Sequence, residues 1–429
     1  MTRSAISGFQ PKISAIRSRR IVGKFSWTVG DQTLLALANF GGNLILARWL
    51  APIEYGGYMA ASALFWMALG VYGGLLTEPM MVFGSGRYRE QLPSYFSVLA
   101  VFHCCISAIV ASVLGAAGLA IILWGSRASG FSLIGYAVAA PVVLLLWLLR
   151  RTVYLWSHPR VAAGAAGAYL LGMLAFMSIF YRTGTLSTFT APLAAAGASL
   201  LPIVIILIAA RFRLWSSWRS EATRKIVAAH WYYGRWAVVT SIAAWAPGGL
   251  YYLLIVPILA GLEANAALNA LWNLVMPAIQ LNLALTLLLI PAFSRMRQDR
   301  RTASLVWAAV VALVAGATLY SVGVGLFGEP IIDVVYRGRY TREAHLAWLV
   351  GLAAVPNAAA AVLESVLRAR ERPDCIFRTY AVSTIVTCMI GIPAVAFWGV
   401  LGGILGLLAR DVTTMVLELW WVLRTGGWR

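Results

Sequence analysis

The chain has 429 residues, of which 61% are hydrophobic and 11% charged, and its mean hydropathy is +0.80. A soluble globule carries about 25% charged residues, so the composition points to a polytopic membrane protein with very little left over for a soluble domain. The net charge of +19 suggests nucleic acid at first sight, but in a membrane protein the distribution of basic residues decides between that and topology.

Residues 1–24 form a basic arm carrying Arg3, Lys12, Arg17, Arg19, Arg20 and Lys24. It is expected on the cytoplasmic membrane surface, where each basic residue near anionic lipid gains about 1 kcal/mol. No cleavable signal peptide is expected, because the first apolar run is too long and no clear cleavage site follows. Hydrophobic runs then follow at 26–49, 58–83, 95–123, 131–150, 161–181, 188–210, 233–257, 264–292, 304–327, 344–367, 376–398 and 400–423. Each is long enough as a helix to cross or nearly cross roughly 30 Å of hydrocarbon. The expected fold is all-α, with twelve transmembrane helices.

Basic residues sort the loops. Arg87 and Arg89, then Arg150, Arg151 and Arg160, the stretch from Arg211 to Lys225, that from Arg295 to Arg301, that from Arg368 to Arg378, and Arg424 with Arg429 fall on the side of the N-terminal arm. The opposite loops hold only Arg48, Arg127, Arg182, Arg337, Arg339 and Arg342. This alternation predicts cytoplasmic termini and an even number of spans, and it removes most of the case for nucleic acid. Four cysteines, two of them adjacent at Cys104 and Cys105, show no metal-ligand or disulfide spacing.

An internal repeat divides the chain. About 209 residues after Trp27 and Glu54 stand Trp236 and Glu263, and the second helix of each half ends with a proline before a basic loop, at Pro79 and Pro291. Such repeats are a transporter signature. The expected organisation is the arm 1–24, a first lobe 25–210, a cytoplasmic linker 211–230 read as an amphipathic surface helix, a second lobe 231–424 and a tail 425–429.

The run ILARWLAPIEYGGY at Ile45 to Tyr58 resembles the first periplasmic turn of polysaccharide and O-antigen repeat-unit flippases of the multidrug/oligosaccharidyl-lipid/polysaccharide (MOP) exporter superfamily. Ala51 stands where that family usually has glycine. Leu75 to Pro79 and Leu289 to Arg295 are similar to family stretches at the ends of the second and eighth helices. The resemblance implies a two-lobe transporter of the bacterial inner membrane that opens alternately to each side. Its implied cargo is a lipid-linked oligosaccharide carried to the periplasmic leaflet, beside membrane lipids and polysaccharide polymerase or assembly proteins as partners. A cation-coupled drug antiporter of the same superfamily is one alternative. A membrane glycan polymerase or ligase is another, disfavoured because the longest extracytoplasmic loop, Gly328 to about Glu343, is short. No cofactor is expected beyond a coupling ion, H⁺ or Na⁺.

Candidate working groups are the polar residues within the spans. Asp31, Asn39 and Asn43 fall at eight- and four-residue intervals on one helical face of the first span, and Asn265, Asn269, Asn273 and Gln280, at intervals of four, four and seven, share one face of the eighth. Both stripes are expected to line a cavity, with Asn39, Asn43, Asn269, Asn273 and Gln280 as cargo contacts; the alternative is interhelical hydrogen bonding. Asp31 and Glu78 are expected near the cytoplasmic ends of their spans, as an acidic gate or cation pair. Arg410 and Asp411 fall near the midplane of the last span, where a charge costs a few kcal/mol and needs a partner. Arg410 is expected to meet cargo pyrophosphate, the alternative being an ion pair with Asp411 or another helix. Asp411 and Glu364 are further cation-coupling or gate candidates, and Arg235 is either a cargo contact or a surface anchor.

Overall fold

The computed structural model describes residues 10–156, 158–209, 220–295 and 301–425. Residues 1–9 of the expected arm, residue 210 of the expected first lobe and 211–219 of the expected linker lie outside the described residues, as do Arg297, Arg300 and Arg429 and the side chains of 10–25.

Twelve helical rods account for the described chain, and no strand occurs among the described residues. The first lobe holds α1 (Gln10–Trp49), α2 (Pro52–Ser85), α3 (Leu92–Leu123), α4 (Arg127–Leu155), α5 (Pro159–Arg182) and α6 (Thr190–Ala209). The second lobe holds α7, which runs Ser220–Leu250 and continues through Tyr251–Ile255 to Val256–Leu259, and α8, made of Gly261–Trp272 and Met276–Arg295. After them come α9 (Arg301–Tyr336), the interrupted α10 (Thr341–Ala344, Ala347–Gly351 and Ala354–Ala369), α11 (Pro373–Trp398) and α12 (Val400–Arg424). Eleven of the twelve expected hydrophobic runs fall within one rod; the run 188–210 starts before α6, and its last residue lies outside the described residues. Ten of the rods are long and apolar enough to cross a membrane by composition alone; α1 and the broken α8 make up the twelve. An even number of crossings puts the start of α1 and the end of α12 on one face, called here the terminal face; the other is the far face.

The repeat is visible in the helix starts. Pro52 begins α2 and Gly261 begins α8, with Glu54 and Glu263 in the two first turns. Carboxylates are favoured there by the partial positive charge of a helix N-terminus. Glu54 Oε2 also accepts a hydrogen bond from the Ala51 backbone N–H at 3.3 Å, satisfying a donor that the helix itself leaves open. At the far face α11 turns into α12 through Gly399 alone, with φ +54°, a conformation that glycine enters without the steric cost of a Cβ.

Two helices extend past the expected lobe limits. The arm is helical from Gln10, continuous with α1. Residues 220–230, expected in the linker, are the first turns of α7. The physical reason is His230, which is 2% exposed. Its ring Nδ1–H donates to the Leu75 carbonyl at 3.1 Å and its Nε2 accepts from the Tyr95 hydroxyl at 2.6 Å, docking the start of α7 on the first lobe.

The main hydrophobic core joins the lobes, bringing Leu46, Tyr55 and Tyr169 together with Leu268, Leu271 and Tyr336. Apolar side chains such as Leu123, Leu319 and Phe397 remain largely exposed on the outside, as a lipid-facing surface requires. The protein is a multi-pass membrane protein of two six-helix lobes.

Candidate functional site

A cavity of about 490 Å³ lies between the lobes. Helices α1, α2, α4, α5 and α6 wall it on one side, and α7 and α8 on the other. It is rich in aromatic side chains, among them Tyr58, Phe65, Trp66, Trp147, Trp245 and Trp272. Arg150 is the one charged side chain among the described lining residues, and no carboxylate is among them.

The expected polar stripes both reach this cavity: Asn39, Asn43, Asn269, Asn273 and Gln280 all line it. They do not present themselves equally. Asn43 Nδ2 donates to Asn273 Oδ1 at 2.8 Å, the Tyr55 hydroxyl donates to Asn43 Oδ1 at 2.9 Å, and Asn273 Nδ2 donates to the Tyr336 hydroxyl at 3.1 Å. This knot ties α1 and α2 of one lobe to α8 and α9 of the other and closes the cavity toward the far face. Asn269 Nδ2 donates to the Asn265 carbonyl at 2.8 Å, and the fully buried Asn265 reaches the Gly56 carbonyl of α2 at 3.0 Å. Asn39 and Gln280 form no hydrogen bond within the described protein and remain available to a cargo. The step from Asn273 to Gln280 crosses the turn at 273–275 that interrupts α8, so the second stripe bends with the helix.

The far-face closure continues beyond the knot. Arg339, just past α9, donates to the Leu50 carbonyl, and the Tyr340 hydroxyl donates to the Ala47 carbonyl at 3.4 Å. Gly56 faces the backbone of Leu262 so closely that a Cβ would overlap its carbonyl oxygen. Toward the terminal face, contact between the lobes runs along α2 and α7, through Trp245 Nε1 donating to the Ala63 carbonyl at 2.9 Å and through His230.

Asp31 and Glu78 are not a pair. Glu78 is exposed, whereas Asp31 is fully buried. Asp31 Oδ1 accepts from Arg150 Nη2 at 2.6 Å; Oδ2 accepts from the Tyr154 hydroxyl and from Gln32 Nε2 at 3.1 Å. Arg150 and Tyr154 stand four apart on α4, one helical turn, so both meet the same carboxylate. The expectation that Arg150 belongs to a surface loop is corrected: it is 6% exposed, and its Nε has no partner among the described residues. The missed signal was the i, i+4 pair Arg150 and Tyr154, with Trp147 three residues earlier on the same face.

Arg410 does not line the central cavity. It opens on a second cavity of about 440 Å³ inside the second lobe, with Asp411, Glu364, Arg368, Asn282 and Asn357. Arg410 Nε pairs with Asp411 Oδ1 at 2.7 Å; the side chains reach around the helix despite pointing about 100° apart at their Cα atoms. Glu364 pairs with Arg368 Nε at 2.9 Å and accepts from the Tyr380 hydroxyl at 3.3 Å. Glu418 on α12 is fully buried, with neither carboxylate oxygen hydrogen-bonded among the described residues. Arg235 lines neither cavity; it lies over Tyr232 and Trp236, at 5.0 and 5.7 Å from the ring centroids. No group of three or more metal-ligating side chains occurs among the described residues.

No protein-family model matches the chain, and no curated relative matches it. Solved structures match it along nearly its whole length. An inward-facing multidrug resistance MATE family transporter of the MOP superfamily is 12% identical, with a TM-score of 0.76 over 92% of this chain and 94% of that one. A mutant of the Vibrio cholerae MATE transporter VcmN is 16% identical, with a TM-score of 0.65 over 96% and 98% of the two chains. A MOP superfamily transporter from Pyrococcus furiosus, whose binding pocket of reverse polarity suggests a different function, is 13% identical, with a TM-score of 0.64 over 94% and 95%. These neighbours are transporters rather than enzymes, and this chain shares their twelve-helix, two-lobe fold.

Proposed function

We propose that the protein moves a lipid-linked oligosaccharide across the bacterial inner membrane by alternating access, with the terminal face cytoplasmic. The observation that carries this reading is the lining of the central cavity: aromatic rings, the free amides of Asn39 and Gln280, one arginine and no carboxylate among the described residues. Aromatic faces suit sugar rings, amides suit hydroxyl groups, and a guanidinium suits phosphate oxygens. In this reading the lipid tail stays in the bilayer while the pyrophosphate-sugar head occupies the cavity. Arg150 is the first-lobe cation for the head, oriented by Asp31. Closure of the far face by the Asn43–Asn273 knot fits a state that loads from the cytoplasmic side. The lobes then rock about their interface to expose the cavity to the periplasm.

The second reading is a cation-coupled drug antiporter. Its support is the likeness in fold to multidrug MATE transporters. For a cationic drug the cavity would need a carboxylate to offset the ion, and the nearest buried one, Asp31, is already held by Arg150 and Tyr154.

A leaflet-protection assay tests the proposal. The protein is placed in liposomes with a fluorescent polyprenyl-pyrophosphate sugar, and an impermeant reagent reports the leaflet each molecule occupies. Movement in wild type that falls at least tenfold in Arg150→Gln, with the variant still folded, is the expected result. No movement across several sugars and with an imposed ion gradient, combined with drug efflux that Asp31→Asn abolishes, would replace it with the antiporter reading.

A further inference from the structure

The two cavities are separated by α7. Trp245 and Gly248 line both cavities. Gly248 has no side chain, and the Arg410 guanidinium occupies the space that one would fill: a Cβ there would stand 2.8 Å from Arg410 Nη1. Real Cβ contacts do not come that close, so any other residue at 248 displaces the guanidinium. The same guanidinium lies 5.5 Å from the ring centroid of Trp272, which lines the central cavity. Its Nε is held by Asp411, whereas its terminal nitrogens make no hydrogen bond within the described protein. Arg410 therefore lies against the partition with donors to spare. Pro247 removes a helical hydrogen bond beside this point, and a π-helical turn at Tyr251–Ile255 follows within one turn; both mark places where a helix deforms readily.

We propose that Gly248 is a window in α7 that positions Arg410 to act on an anionic group in the central cavity, making it the second-lobe counterpart of Arg150. Gly248 is a positioning residue: it acts by leaving room for a guanidinium anchored on α12. The Trp245 indole, on the same partition, is tied to the Ala63 carbonyl of α2 at 2.9 Å. Movement between the lobes thus pulls on the segment that carries the window. This inference rests on the reading of the central cavity as a site for an anionic head group.

The test measures binding of farnesyl pyrophosphate, with farnesol as the uncharged control, to detergent-purified full-length protein. Arg410→Ala is expected to weaken pyrophosphate binding about tenfold, the scale of a lost hydrogen bond to a charged group, and to leave farnesol binding unchanged. Gly248→Ala is expected to produce the same loss. Combined with Arg410→Ala it should add nothing further, because the methyl group then displaces no guanidinium. Thermal unfolding supplies a control independent of ligand: the displaced atom is the far end of a flexible side chain, so Gly248→Ala should unfold near the wild-type midpoint and the double variant near that of Arg410→Ala. Equal binding by wild type and Gly248→Ala, or additive losses in the double variant, would overturn the window. If Gly248→Ala fails to fold and Arg410→Ala does not rescue it, the window is likewise overturned. Wild-type protein that binds farnesol as tightly as farnesyl pyrophosphate would overturn both this inference and the reading it rests on. A pyrophosphate preference lost in Arg150→Gln but retained in Arg410→Ala would overturn the window alone.

Discussion

Arg150 on α4 and Asp31 on α1 meet at 2.6 Å, with side chains 8% and 0% exposed, across 119 residues of sequence. Each charge is tolerable within the lobe only because of the other. Ions taken out of water lose several kcal/mol of solvation, which only close pairing and further hydrogen bonds offset. The pair fixes where α1 sits on α4 and holds one guanidinium edge toward the cavity.

Breaking the pair on one side should therefore cost more than removing it whole. Arg150→Ala leaves a buried carboxylate without its partner and is expected to lose about 3–5 kcal/mol of stability. Asp31→Asn combined with Arg150→Gln replaces the ions by amides of similar shape and should recover most of that. Thermal unfolding of the detergent-solubilised variants measures both. Transport separates structure from function: a pair that only braces the fold predicts recovered transport in the double variant, whereas an Arg150 that binds cargo predicts a stable protein that does not transport.

The fold was legible because its signals are coarse and repeated. Twelve apolar runs, basic loops on alternate sides and Glu54 matched by Glu263 needed no long-range information. The site was legible only in part. Asn43 and Asn273 were found by helical spacing, but spacing does not reveal that they bond to each other rather than to cargo. Arg150 was missed because it stands at the end of an apolar run, where an arginine ordinarily snorkels to the surface; its burial depends on Asp31, which α1 brings to it. Arg410 was read from its position along the last span, which does not say which side of α7 it faces. Partnering across helices is a tertiary property, and one sequence read span by span does not contain it.

The Asn43–Asn273 bond is expected to stabilise the far-face-closed state. Asn273→Ala removes bonds to Asn43 and Tyr336, each worth about 0.6 kcal/mol in a membrane setting. The closed state should weaken relative to the open one by about 1 kcal/mol, a several-fold shift in population. A cysteine at Asn39 reports this: an impermeant thiol reagent supplied from the far face should label it several-fold faster in Asn273→Ala than in otherwise wild-type protein. Unchanged labelling would mean that Arg339 and Tyr340 carry the closure instead.

Gly56 should tolerate nothing larger than glycine. A Cβ there overlaps the Leu262 carbonyl, and the Gly56 carbonyl itself receives Asn265. Gly56→Val would force α2 away from α8 and break that bond. The expected outcome is loss of folded protein in detergent, seen as aggregation on size-exclusion chromatography. Asn265→Ala, which removes only the hydrogen bonds, should lower stability by about 1–2 kcal/mol and still elute as a single species.

Glu418 poses the opposite case to Asp31. It is fully buried on α12, and neither carboxylate oxygen has a hydrogen-bond partner among the described residues. A charge kept there is unfavourable by several kcal/mol, so the position gains nothing structurally from being acidic. Glu418→Gln matches the shape without the charge and is expected to raise stability by about 1–3 kcal/mol, while Glu418→Lys should prevent folding. Transport then decides why an acid is kept. If Glu418→Gln is more stable and transports normally, the acid has no role in the cycle. If the more stable variant loses transport driven by an imposed proton gradient yet still equilibrates cargo between leaflets without one, Glu418 exchanges a proton during the cycle, and the second lobe supplies the coupling while the central cavity binds the cargo.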